Sequence, residues 1–218
     1  MKKAFLLTVF LPVLLLCAAC GSDYDYTRHI SETRSDIFIA SSEHFTVTLS
    51  CITREHPYAS DGITCPLSEL VEIVLKPEQP SATNFEVYVL GEEQWGGEMS
   101  FRNVEDDWFY SQSVKVFPES SVSLRVVWDS GEQEVLATSV KNDGTMSVTE
   151  ALKSAISHEK TYVDMRMQNG AFTGEFRVRL LRRDVNYYYV AIVDADGHTL
   201  SLLLGAESGE VLARRESA

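Results

Sequence analysis

Four cysteines and five histidines are the side chains in this sequence best suited to metal or nucleophilic chemistry, and their spacing limits what they can do. His158-Glu159 opens the His-Glu-x-x-His pattern by which one helix face presents two zinc ligands, but the second histidine position holds Tyr162. Asp194-x-Asp196-Gly197 supplies the first oxygens of a calcium loop. The remaining oxygens and the closing glutamate of a twelve-residue loop are missing, and a tight hairpin turn accounts for the dipeptide fully. Glu92-Glu93 and Asp106-Asp107 are adjacent carboxylates. Neighbours on a strand point to opposite faces, so neither doublet makes an acid/base pair, and solvated turns explain both. No Gly-x-Ser-x-Gly elbow, phosphate loop or dinucleotide glycine pattern occurs. No catalytic residue, metal ligand or cofactor is therefore assigned, and a non-enzymatic protein is expected. The alternative is a hydrolase whose site is assembled from distant residues. A concave pocket with convergent His, Asp or Glu would mark it.

The N-terminus explains one pair of cysteines. Lys2 and Lys3 precede an apolar run from Ala4 to Leu16, too short to span a bilayer but the right length for a signal peptide. Ala18-Ala19-Cys20 follows, and then the polar Gly21-Ser22-Asp23. This resembles the lipobox of bacterial lipoproteins, with Cys17 where that pattern usually has Leu. The resemblance implies cleavage after Ala19, a diacylglyceryl thioether on Cys20, and attachment to the outer face of the cell membrane. An ordinary secretory signal cut at the same bond is the alternative. Cys17-x-x-Cys20 also has redox-pair spacing, but Cys17 would leave with the leader.

Cys51 and Cys65 remain. Outside the cytoplasm they could form a disulfide closing a 15-residue loop, which would stabilise the fold by about 3 kcal/mol, with two buried thiols as the alternative. The loop between them holds Arg54, Glu55, His56, Tyr58 and Asp61, the densest polar cluster of the first half. Arg54, His56 and Tyr58 are candidate interaction residues, because loops on a rigid scaffold often carry binding. The plainer explanation is Arg54 pairing with Asp61 or Glu55 to hold the turn. Arg177 and Arg179 are the second candidate surface. They share one face of a strand whose other face is Phe176, Val178 and Leu180. This basic stripe could dock against the acidic first half or simply face solvent.

The elements that would position these groups fall into two sets. Residues 20–42 are polar and mixed and suggest a tether, although Ile37-Phe38-Ile39 could begin a strand. From Phe45 the period is two: Phe45, Val47, Leu49 and Cys51 alternate with Thr46, Thr48 and Ser50. Similar short runs recur up to Thr138, separated by Gly and Pro, which predicts an immunoglobulin-like β-sandwich over residues 43–147. Ser147-x-x-Glu150 is a capping box opening a helix that ends near His158. Strands are then expected over residues 162–167, 172–182, 187–194 and 199–204, with tight turns at Asn169-Gly170 and Asp196-Gly197. The fold class is mainly β with one helix, α+β.

Residues 148–213 resemble the PepSY domain family. The resemblance rests on Thr149-Glu150-Ala151, Tyr187-Tyr188-Tyr189-Val190, Asp196-Gly197 and Ala206-Glu207-Ser208-Gly209-Glu210-Val211-Leu212. It implies a small non-catalytic domain outside the membrane, over residues 148–218, and a role in restraining peptidases or sensing envelope conditions. No functional residue carries over, because the matching positions explain turns and capping.

Charge separates the same two regions. Cys20 to Ser147 holds 22 acidic and 8 basic residues, and Val148 to Ala218 holds 10 and 9. An acidic chain of this kind excludes nucleic acid as a partner and would not adhere to anionic lipid without an anchor. The expected partners are the membrane, through lipid, and an envelope protein or peptide.

Overall fold

The computed structural model describes residues 24–56, 59, 61, 63, 65–78, 84–91 and 94–217. The leader, Cys20, Tyr58 and Glu92-Glu93 lie outside the described residues.

The fold is mainly β, built on one large and mostly antiparallel sheet. Strands β1 (Ile30–Ser41), β2 (Phe45–Glu55) and β3 (Leu67–Pro77) form a meander. The chain continues through β4 (Phe85–Leu90), β5 (Trp95–Glu98), β6 (Ser100–Arg102), β7 (Asp107–Ser113), β8 (Ser121–Trp128) and β9 (Gly131–Ser139). β7 joins β3 to β6, β8 joins β4 to β9, and β9 closes back onto Phe38 and Ile39 of β1. Helices α1 (Val148–His158) and α2 (Lys160–Asp164) follow, then the hairpin of β10 (Met167–Gln168) and β11 (Ala171–Phe172). Strands β12 (Gly174–Arg182), β13 (Asn186–Asp194), β14 (Thr199–Gly205) and β15 (Val211–Ser217) complete the chain as consecutive antiparallel neighbours. β12 runs parallel to the first part of β1 and so joins the two sets of strands.

Period-two alternation places the cores. Phe45, Val47, Leu49 and Cys51 of β2 meet Val71, Ile73 and Leu75 of β3, with Val87, Leu124 and Val126 opposite. Phe176, Val178 and Leu180 of β12, Tyr188, Val190 and Ile192 of β13 and Leu200, Leu202 and Leu204 of β14 lie under Ala151, Leu152 and Ala155 of α1. The helix begins where the capping box stands. Ser147 Oγ accepts the Glu150 amide at 3.2 Å, and the Glu150 carboxylate accepts the Ser147 amide at 2.7 Å. Tyr188 pins that end to the sheet, its buried hydroxyl donating to the Met146 carbonyl at 2.7 Å. Asn169 and Gly170 take φ of 51° and 78° between β10 and β11, the left-handed pair that a two-residue hairpin requires.

Three expectations need correction. Residues 30–41, placed in the tether by their polarity, form the central strand. Ile37 belongs to the core under α1 and Phe38 to the core shared by β2, β3, β4 and β8, because successive side chains point to opposite faces. The two acidic residues of β1 are paired rather than solvated. Glu32 accepts from Arg179, and Asp36 accepts from Ser139 Oγ at 2.7 Å. Second, Lys160–Asp164 is helical where a strand was expected from Tyr162. Lys160 and Asp164 form an i,i+4 ion pair at 2.7 Å, and the consecutive Tyr162 and Val163 are both buried.

Third, Cys51 and Cys65 are both free. Cys51 sits opposite Val71, while the hairpin continues to Glu55 opposite Leu67, and Cys65 lies beyond that end. Four residues of strand span about 13 Å, whereas a disulfide needs Cα atoms within about 7 Å. Cys51 is fully buried, and burial, reinforced by nearby Asp36, pushes its thiol up to about 12. It is a neutral packing group.

Candidate functional site

The joint between β12, β1 and β2 gathers three of the five expected interaction residues. Register places Glu32 of β1 beside both Arg177 of β12 and Arg54 of β2, and Arg34 beside Arg179. Arg179 donates to both Glu32 oxygens, with the Nε bond at 2.7 Å. Arg54 bonds Glu72 at 3.2 Å rather than Asp61 or Glu55. Burial lowers the pKa of Arg34, which stands among Glu72, Arg179 and Glu32. Arg54 also lines a cleft of about 280 Å³ with Glu55, His56, Ser68, Leu70 and Ser111. The stripe of Arg177 and Arg179 therefore meets β1 through backbone pairing, where docking between separate domains was the expectation.

Arg177 faces a second and larger concavity. On the side of β12–β15 away from α1, residues stand in rows across the strands. One row runs Arg179, Tyr189, Leu203, Ala213, and the next runs Arg177, Ala191, Ser201, Arg215. Tyr189, Leu203 and Ala213 of the first row and Arg177, Ser201 and Arg215 of the second line a groove of about 480 Å³. That volume falls within the range of ordinary ligand sites. The groove mixes polar and apolar walls, and none of the described residues that line it is acidic. Arg177 is held by two bonds to Glu175 Oε1, at 3.1 and 2.7 Å. Glu175 is completely buried, and its Oε2 has no hydrogen-bond partner among the described residues. The Tyr189 and Ser201 hydroxyls share a bond of 2.9 Å on the groove floor. β15 is the edge of the sheet.

A buried carboxylate stands at the smaller cleft. Glu55 is 1 % exposed and accepts the Cys65 amide at 2.5 Å, while its Oε2 has no hydrogen-bond partner among the described residues. Burial raises its pKa, and Glu175 and Asp61 raise it further, against the Cys65 amide and Arg177.

Asp194, Asp196 and His198 form the one group among the described residues whose ligand atoms all lie within 4.8 Å of one another. Asp194 is already engaged. Its Oδ1 accepts the Asp196 and His198 amides at 3.1 and 3.0 Å, and its Oδ2 accepts from Arg166 at 3.0 Å. Burial pushes its carboxyl upward, but the Arg166 bond and the two amides outweigh this and hold it below its usual value. The turn reading of this segment is sufficient.

Sequence pattern alone missed Tyr189, Ser201 and Arg215. Their signal was the polar phase of the alternation in β13, β14 and β15, which marks an outward face but does not reveal that the face is concave. Among the described residues no helix is long and apolar enough to cross a membrane. No family model, no curated protein and no solved structure matches this chain.

Proposed function

We propose that this chain is a lipid-anchored, extracytoplasmic lipoprotein that works as a non-enzymatic module for protein or peptide contacts. The observation that carries the interaction reading is the groove over β12–β15. It has arginines at both flanks, hydroxyls on its floor and an open sheet edge beside it. These groups bind and orient, and open edges accept extended chains. The anchor reading rests on the leader and on Ala18-Ala19-Cys20. In this proposal β1–β9 are an immunoglobulin-like sandwich and residues 148–218 a PepSY-like unit. The helix capped at Ser147 and packed on four antiparallel strands supports the second assignment. The groove also suits a regulator that restrains an envelope peptidase by holding an exposed segment of it.

The anchor is tested by expressing the full chain with its own leader in bacteria, followed by fractionation and mass spectrometry. The expected product is a membrane-bound protein whose first residue is Cys20 carrying diacylglycerol. Cys20→Ala should be retained uncleaved or released from the lipoprotein pathway. An unmodified N-terminal Cys20 peptide in the soluble fraction would sink the anchor. The interaction reading is tested at the groove itself: crosslinking at the cell surface should capture a protein through the parent chain and lose it with Arg215→Glu, and equal capture by both would reject the groove.

A further inference from the structure

The chain enters the sheet through a cluster of rings. Asp25 caps a 3₁₀ turn, Tyr26–His29, that leads directly into β1, and its carboxylate accepts the Thr27 amide at 3.1 Å. Tyr24, Tyr26 and His29 meet Phe172 of β11 and Phe176 of β12. Tyr26 packs edge-on to both phenylalanines, with ring centres 5.7 and 5.9 Å apart, and His29 packs edge-on to Phe172 at 5.3 Å. One chain of hydrogen bonds runs through these rings. The Tyr24 oxygen accepts the Phe172 amide at 3.0 Å and lies 2.7 Å from His29 Nε2. With its oxygen so engaged, the hydroxyl sends its hydrogen to Nε2, which accepts only in the neutral ring. The Gly174 backbone takes the one N–H of that ring. The chain of bonds therefore closes only while His29 is uncharged.

A proton on Nε2 breaks it. The Tyr24 hydroxyl then faces an N–H instead of a lone pair, and a charge enters among the rings. The charged groups around His29 do not compensate. Arg28, on the same turn, stands 5.7 Å from the Tyr24 ring centre and repels a second cation. Asp25 attracts one, but its carboxylate is engaged by Thr27 and Arg28. On β12, Glu175 is turned onto Arg177, and on α2, Lys160 and Asp164 neutralise each other. Burial is the largest influence and pushes the His29 pKa below its usual 6.5. The Gly174 bond opposes this, Arg28 adds to it, and Asp25 opposes it.

We propose that Tyr24 and His29 form an acid-released latch, which holds residues 24–29 against β11 and β12 at neutral pH and frees them when His29 takes up a proton. A lowered histidine contributes stability that is full above its unfolded pKa, near 6.5, and lost as pH falls through the folded value. The rest of β1 stays in the sheet, because β2 and β12 hold it. Release adds six residues, up to about 20 Å of chain, between Cys20 and β1. That added reach rests on the lipid-anchor reading. The release does not, and the experiment reads the release alone.

The test is hydrogen exchange of the full chain in detergent at pH 8 and pH 5, the span over which histidine changes charge. Each rate is divided by that of an unstructured peptide at the same pH. The reporters are the Phe172 amide, which donates to Tyr24, and the Ile30 amide, which closes the turn onto the Thr27 carbonyl. Both should lose protection by about tenfold or more at pH 5, while the Val190 and Ile192 amides of β13 change by less than about twofold. Tyr24→Phe should exchange at pH 8 as the parent does at pH 5. His29→Gln cannot take up the charge, so its protection, whatever its level, should be the same at both pH values. Equal protection of the parent at both pH values would overturn the latch. So would a loss that extends to β13, a loss that persists in His29→Gln, or a Tyr24→Phe variant still protected at pH 8. Processing at Cys20 bears on none of these outcomes, so the anchor and the latch fail separately.

Discussion

Strands β1–β9 and strands β12–β15 treat their arginines differently. The region from Cys20 to Ser147 has 22 acidic residues against 8 basic, yet two of its few cations are drawn into the sheet. Arg102 grips the 3 %-exposed Asp107 with two bonds of 2.7 and 2.9 Å, and Arg54 lies on Glu72. From Val148 onward the charges nearly balance, yet Arg215 is exposed along the groove. Regional net charge therefore does not tell which cations are open to a partner. What decides is which cations the fold has already neutralised. The regions are alike in one respect, because both build a core against the same strand, β1.

That shared strand gives the comparison its largest expected effect. Phe38→Ala removes a fully buried ring from the core of β1–β9 and should cost about 3–5 kcal/mol. All three tryptophans, Trp95, Trp108 and Trp128, pack on the core of β1–β9, whereas helix α1 belongs to the other core. Tryptophan fluorescence and helical circular dichroism thus report the two regions separately. In urea the two signals should fall together, at a lower midpoint than in the parent. Separate transitions would break the account of β1 as a common wall.

A smaller effect separates the two classes of arginine. Arg102→Ala leaves Asp107 buried without its partner and should cost about 2 kcal/mol. Arg215→Ala exposes nothing new and should stay within about 0.5 kcal/mol. Equal losses would mean that Arg215 is structural and that the contrast between the regions is wrong.

The smallest change differs in sign. The pKa of Glu55 is raised in the fold, chiefly by burial and then by Glu175 and Asp61. A raised carboxyl contributes stability that is full below its unfolded pKa, near the ordinary 4.5, and lost as pH rises through the folded value. Glu55→Gln escapes that loss and can still accept the Cys65 amide. It should therefore unfold at higher urea than the parent at pH 7, with the advantage shrinking as pH falls toward 4. A destabilised variant at pH 7 would show that Glu55 is paired after all.

Much of the strand pattern was legible because its apolar positions alternate, as in β2, β8 and β12, and the capping box at Ser147 announced α1. β1 was not legible for a physical reason. Glu32 and Asp36 look solvated, but their partners Arg179 and Ser139 come from remote strands, and local sequence carries no trace of them. The same limit hid the groove. Arg177 was visible as one side of an amphipathic strand, while Arg215 joins it only through the register of four strands. The disulfide expectation failed because closeness in sequence was taken for closeness in space, and a long hairpin separates its ends from its middle.

Hydrogen exchange of the backbone amides from Ser31 to Ser41 in the full chain tests the central structural claim most directly. β1 is paired along its length with β2 and, in turn, with β12 and β9. These amides should therefore exchange with the slowest class, together with those of β2 and β12, and only through global unfolding. Exchange at the rate of an unstructured chain would make residues 30–41 a tether after all and leave the two cores without their common strand.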